Sequence, residues 1–262
     1  MARSLPKPHI VYLTRHGESL GNVQKCFLDS REDDLTKTGE LQVELLAKYL
    51  GAKENITRVY SSDYLRALRT AEAIVKGSKN LTKLQIKTDV RLRERAVGVF
   101  QGKKYQDAIT ALLKSGGDLM GFTPQGAEKM KDVGCRMSNF FKELCTELDN
   151  GDEEQEVVVV VSHSFALIKL IDTLIKSKSY RVVHWDHSKG YKLIRNGSFI
   201  KLSLGLLKDN CEDLSTLPGQ RRIEFLNLHE TEHLQGLVEN DTLVKFTQCT
   251  DEGKAFSGCI QS

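Results

Sequence analysis

Only four prolines occur in 262 residues, which leaves no room for a Pro-rich linker. No purely apolar run exceeds the valines Val157–Val161, far short of the ~20 residues that a membrane span needs. Ser4, Pro6, Lys7 and Pro8 interrupt the N-terminus, so no signal-peptide apolar region is expected. The six cysteines (Cys26, Cys135, Cys145, Cys211, Cys249, Cys259) are scattered and form no C-x-x-C. With no secretory signal, this predicts reduced thiols and a cytoplasmic chain. The Asn-x-Ser/Thr triplets at Asn55, Asn80, Asn196 and Asn240 then read as chance. A net charge of +3, from 38 Lys+Arg against 35 Asp+Glu, comes without a basic block. That excludes the footprint of a dedicated nucleic-acid binder. What remains is ordinary globular usage, 40% apolar and 28% charged, at a length that fits one large α/β domain or two small ones. We expect a single domain over residues 1–262.

Hydrophobic periodicity supplies the elements. Ile10–Leu13, Arg58–Ser61, Leu84–Asp89 and Val157–Val161 read as strands. Thr36 or Thr38 is placed to cap a helix carrying Leu41, Leu45, Leu46, Tyr49 and Leu50, with Gly51 as its stop. A second helix is predicted from about Asp63 to Lys76, stopped by Gly77. From Gly126 to Leu148, Ala127, Met130, Val133, Met137, Phe140, Leu144 and Leu148 recur at helical spacing, a stripe that reads as core. Another helix, carrying Leu167, Ile168, Leu170, Ile171 and Leu174, follows the valines. Asn196-Gly197 predicts a hairpin turn between Tyr191–Ile194 and Phe199–Leu204, and Ile223–Leu228 a last strand. Alternation of this kind implies an α/β fold whose mostly parallel sheet is covered by helices on both faces.

In such sheets ligands bind beyond the carboxyl ends of the strands. Three strand ends carry polar clusters: Thr14-Arg15-His16-Gly17-Glu18, Ser61-Ser62-Asp63-Tyr64-Leu65-Arg66 and Ser162-His163-Ser164. Chain direction alone therefore sets two histidines and two arginines on one rim. A neutral imidazole is a nucleophile, and its ordinary pKa of about 6.5 leaves it mostly neutral at pH 7. A phosphoryl group in transfer spreads charge over three oxygens, which arginine forks match well. This set suits phosphoryl transfer without a metal.

The motifs resemble those of the histidine phosphatase superfamily, the phosphoglycerate mutase-like enzymes. The resemblance rests on Arg15-His16-Gly17-Glu18-Ser19 with Asn22, on Leu35-Thr36-Lys37-Thr38-Gly39, and on Ser61-Ser62-Asp63-x-x-Arg66-Ala67-x-x-Thr70-Ala71. It continues through Leu92-Arg93-Glu94-Arg95 with Gly98 and Gly102 to Ser162-His163. Within the family the chain is most similar to fructose-2,6-bisphosphatases of the TIGAR type. Phe122-Thr123-Pro124 and His233-Leu234-x-Gly236-Leu237 add to that likeness. The resemblance implies a phosphoglycerate mutase-like fold with a small helical lid over about residues 94–130. It implies that His16 becomes phosphohistidine, that Arg15, Arg66 and His163 hold the phosphoryl oxygens with Asn22 in support, and that Glu94 is the general acid and then base. No cofactor or metal is implied, and the partner would be a small phosphorylated substrate, foremost a sugar bisphosphate.

The departures keep other readings open. Ser164 stands where the family usually has Gly, Phe27-Leu28-Asp29 replaces its usual Gln-Gly, and Ala127 replaces Gly or Ser. A phosphoglycerate mutase, a broad-specificity phosphatase and a phosphate-binding pseudophosphatase are the alternatives. Lys103 and Lys104 are candidates for a second phosphate or simply a solvated pair. His229-Glu230-Thr231-Glu232-His233 matches the zinc-binding H-E-x-x-H. It directly follows a predicted strand, so the two histidines should not share a helix face. His184 and His187, around Trp185-Asp186, read as a partly buried turn.

Overall fold

The computed structural model describes residues 7–80, 82–118, 120–151, 155–186, 194–206 and 221–237. In chain order the elements are β1 (His9–Arg15), α1 (Leu20–Gln24), α2 (Lys37–Lys53), β2 (Arg58–Ser61), α3 (Leu65–Gly77) and β3 (Ile86–Thr88). After them come α4 (Tyr105–Ser115), α5 (Met130–Asp149), β4 (Val157–Ser162), α6 (Ser164–Lys176), β5 (Tyr180–Val183), β6 (Phe199–Leu206) and β7 (Arg221–Glu230). Short 3₁₀ turns lie at Val90–Leu92, Gly98–Phe100 and Glu232–Leu234.

The strands form one sheet in the order β3-β2-β4-β1-β6-β7-β5. β1, β2, β3 and β4 run parallel, β5 pairs parallel with β7, and β6 is antiparallel to both its neighbours. β4 is buried along its whole length and feeds both faces. Val158 and Val160 join the core under α5 and α6, while Val157, Val159 and Val161 join the core under α2 and α3. The expected α/β fold, a mostly parallel sheet with helices on both faces, is therefore the observed one, with β6 as its antiparallel strand.

Several boundaries differ from expectation. Gly51 does not stop α2, which runs on to Lys53. A Cβ on Gly51 would lie 2.1 Å from Gly77 O, so this glycine marks the crossing of α2 and α3 rather than a helix end. Gly126 adopts φ +73° and starts no helix; α5 begins at Met130. α4, of 11 residues, and β5, of four, are not among the elements that periodicity predicts; both are short. The predicted turn at Asn196-Gly197 is present, with Gly197 at φ +69° leading into β6. Residues 191–193 of its predicted partner strand, together with His187, Cys211, Asn240, Cys249 and Cys259, lie outside the described residues. Among the described residues no helix is long and apolar enough to cross a membrane.

Candidate active site

Register brings the three strand ends together. Arg15 pairs with Ser162 across β1 and β4, and Ser61 pairs with Val161 across β2 and β4. The next residues, His16, Ser62 and His163, must therefore meet at one edge. His16 N donates to Ser162 O at 3.1 Å, and the rings of His16 and His163 lie 5.0 Å apart.

His16 is buried, 3% exposed. Its Nδ1 stands 2.7 Å from Gly17 O, so the imidazole proton belongs on Nδ1 and the lone pair on Nε2. The loop that supplies the carbonyl is fixed from two sides. Thr70 of α3 accepts from Gly17 N at 3.1 Å, and Thr36, which caps α2 by accepting from Gly39 N, donates to Glu18 at 2.7 Å. A Cβ on Gly39 would sit 2.0 Å from Glu18 O, so only glycine lets α2 approach this loop.

Arg66, in the first turn of α3, donates from Nε to His16 Nε2 at 3.1 Å and from Nη1 to Asp33 at 3.0 Å. Asp33 also accepts from Gly21 N at 2.7 Å, which ties α1 to the same cluster. Arg15 is buried and donates to Ile194 O at 2.7 Å. His163 precedes α6, with Nε2 2.9 Å from Ser62 Oγ. Ser62 Oγ also accepts from Tyr64 N at 3.3 Å. Among the described residues His163 Nδ1 and Ser164 Oγ are buried and without a hydrogen-bond partner. Burial above all, then the positive charge of Arg66 and Arg15, holds both imidazoles well below their ordinary pKa of 6.5.

Glu94 follows the 3₁₀ turn Val90–Leu92 and meets the start of α6. Its Oε1 accepts from Arg95 N at 2.8 Å and Ala166 N at 3.1 Å, and its Oε2 from Phe165 N at 3.2 Å. With one amide against two, Oε2 keeps the lone pair that could carry a proton. Arg136 of α5 fixes this segment by donating to Arg91 O, Arg93 O and Glu94 O while it pairs with Glu128 at 2.7 Å. Asn22 turns Oδ1 to Ser19 N and to Asn196 Nδ2, and its Nδ2 lies 3.5 Å from Tyr105 OH. All six sequence-predicted residues except His163 line one cavity of about 410 Å³, with His163 behind His16.

Sequence reasoning missed Asp33, Tyr105 and Asn196. Asn196 read only as a turn residue, yet its side chain donates to His16 O and Gly17 O. Nothing local marks such long-range partners. Lys103 and Lys104 do not line the cavity; both are exposed, and Lys103 Nζ lies over the Phe100 ring. The two histidines of the H-E-x-x-H match part company as expected. His229 is in β7 at φ +52°, while His233, in the last 3₁₀ turn, bonds Gly197 O and stacks on Phe199. His184 sits 2.9 Å from Glu224. Among the described residues no group of three or more His, Cys, Asp or Glu is placed to hold a metal ion.

Comparison with known proteins supplies the context. A family model described as Histidine phosphatase superfamily (branch 1) matches residues 11–193. Fructose-2,6-bisphosphatase TIGAR of Xenopus tropicalis is 33% identical over 134 residues, 51% of this chain and 48% of that protein. The chain thus spans about half the length of the TIGAR relatives it matches. A protein of Serratia proteamaculans named Probable phosphoglycerate mutase GpmB is 33% identical over 65% of this chain and 76% of its own. Among solved structures, a mycobacterial glucosyl-3-phosphoglycerate phosphatase in complex with VO3 has a TM-score of 0.65 at 24% identity, covering 85% of this chain and 100% of that one. A Bacillus anthracis phosphoglycerate mutase has a TM-score of 0.63 at 24% identity over 77% of this chain and 90% of that one. At such identities the structural likeness is one of fold.

Proposed function

Since the chain belongs to the histidine phosphatase superfamily, branch 1, we propose that it hydrolyses small phosphorylated substrates through a phosphohistidine on His16. The observation that carries this reading is the tautomer of His16, with Nδ1 bonded to Gly17 O and Nε2 unprotonated beside Arg66. In the first step the Nε2 lone pair attacks phosphorus and the ester P–O bond breaks. The leaving alkoxide takes a proton from Glu94, and His16 carries the phosphoryl group. In the second step Glu94 removes a proton from water, which attacks phosphorus, and cleavage of the N–P bond restores His16. Arg15, Arg66 and His163 hold the equatorial oxygens, with Asn22 in support. Two arginines supply charge that a metal would otherwise provide, so the mechanism assigns no step to one.

The proposal takes residues 1–262 as one cytoplasmic catalytic domain with residues 94–130 as its lid. Relatives named fructose-2,6-bisphosphatase make fructose-2,6-bisphosphate the first compound to assay. Relatives named phosphoglycerate mutase favour a second reading, in which phospho-His16 returns its group to another hydroxyl of a glycerate. The test is incubation with ³²P-labelled fructose-2,6-bisphosphate and with labelled phosphoglycerates. Acid-labile label on His16 with release of inorganic phosphate is the expected result. Isomer without free phosphate would establish the mutase, and bound substrate with neither label nor product would establish a pseudophosphatase.

A further inference from the structure

The cavity at His16 is lined by residues of two kinds. Arg15, Arg66 and Glu94 line it together with the nucleophile. One wall is built by α4, which contributes Tyr105, Ala108, Ile109 and Leu112. These positions fall at i, i+3, i+4 and i+7, one face of a helix. On an ordinary surface helix that stripe meets the protein core; here it faces the cavity. Phe27, Phe122 and Phe165 line the same space from three other segments.

Charge on this wall runs against a second phosphate. Among the described lining residues, Arg95 is the one cation besides the pair at His16. Two of its donors are engaged, Nε with Glu128 O at 2.7 Å and Nη2 with Phe122 O at 2.6 Å. Asp29 adds a carboxylate to the wall, its own charge already matched by Arg31. A pocket mostly apolar with a few convergent polar groups selects its ligand by the shape and apolarity of the larger part.

We infer that the leaving-group half of this site takes an apolar alcohol, so that the preferred substrates are phosphomonoesters of alkyl or aryl alcohols rather than esters carrying a second phosphate. The inference rests on the phosphohydrolase reading of His16. The chemistry is consistent with the wall. When the ester P–O bond breaks and Glu94 gives its proton to the departing oxygen, the product is a neutral alcohol, which needs no counter-charge beside Ile109 and Leu112.

A series of n-alkyl phosphates tests this, because ethyl, butyl and hexyl alcohols differ little in acidity and differ in apolar length. A fully buried methylene is worth about fourfold. Hexyl phosphate should therefore exceed ethyl phosphate by at least about 30-fold in kcat/KM, and should exceed fructose-2,6-bisphosphate as well. Ile109→Asn should shrink the hexyl-to-ethyl ratio by about tenfold; the wild-type series stands even if that variant folds poorly. A flat series, or a higher kcat/KM for fructose-2,6-bisphosphate than for hexyl phosphate, with phospho-His16 formed in either case, overturns the inference and leaves the phosphohydrolase reading intact. No phosphohistidine with any ester overturns that reading, and the inference with it.

Discussion

Arg66 Nε meets His16 Nε2 at 3.1 Å, on the one ring nitrogen that the Gly17 carbonyl leaves unprotonated. The lone pair that should attack phosphorus is thus held by a guanidinium until a phosphoryl oxygen takes over that donor. In the proposed mechanism, substrate binding and exposure of the nucleophile become one event.

Replacement of His16 by Ala should abolish both turnover and phosphoenzyme. The ring's polar partners are one carbonyl and one guanidinium, so the fold should lose only about 1 kcal/mol per bond removed. Phosphate release, acid-labile labelling and thermal unfolding measure the three effects. Activity above a few per cent of wild type would rule out His16 as the nucleophile.

The pH dependence follows from burial. Both imidazoles lie well below their ordinary value of 6.5 in the folded chain, chiefly through desolvation and then through Arg66 and Arg15. Below pH 6.5 the unfolded chain binds protons that the folded chain refuses, so stability should fall as pH drops from 6.5 towards the folded-state values. The acid limb of kcat/KM should likewise lie below pH 6.5, because the free enzyme keeps His16 neutral there. Urea unfolding at pH 5.0 and 7.5 and a pH–rate profile check both. An acid limb at or above 6.5 would contradict the burial argument.

Asp33 should prove structural as well as electrostatic. It pairs with Arg66 where both side chains are nearly enclosed, and it accepts from Gly21 N. Removal of one partner of such a pair leaves an uncompensated charge and costs about 3 kcal/mol. For a chain of this size that is a fall in Tm of about 6–12 °C for Asp33→Ala. A scanning calorimeter suffices to detect it, and an unchanged Tm would show the pair to be dispensable.

Glu94→Gln should separate substrates by their leaving groups. A sugar alkoxide needs a proton and p-nitrophenolate does not. Hydrolysis of fructose-2,6-bisphosphate should slow about 10²–10⁴-fold, the usual range for a general acid, while the p-nitrophenol burst persists. Equal losses in the burst and in sugar-phosphate hydrolysis would make Glu94 a structural residue.

Chelation should leave the rate unchanged, since the proposed charge at phosphorus comes from Arg15 and Arg66. Assays with and without EDTA decide this. A loss restored by Zn²⁺ would bring His229 and His233 back into consideration.

The parts of the site that the sequence makes legible are those set by strand direction. An apolar run such as Val157–Val161 fixes where β4 ends, and parallel register then carries Arg15, His16, Ser62 and His163 to one edge. Arg66 sits within a few residues of one of those ends, whereas Glu94 is legible only through the family resemblance. The partners that orient them are another matter. Asp33 comes from a loop with no regular element, and Asn196 from the far side of β1, 180 residues from His16. Gly51 was misleading because a glycine that ends a helix and one that lets two helices touch look alike in one dimension. Periodicity does not place α4, whose apolar face is short and turned to a cavity; only the resemblance implies a helical lid in that stretch.

Glu94 is also the acceptor for the amides of Phe165 and Ala166 at the head of α6, a helix that begins beside His163. Anything that places a proton on that carboxylate weakens the anchor of the first helical turn. In the proposed cycle the proton leaves and returns once per turnover, so the end of α6 would slacken and tighten in step with catalysis. Those two amides are therefore a built-in gauge: their nitrogen chemical shifts and exchange rates should follow the protonation of Glu94 without any label at the reacting centre.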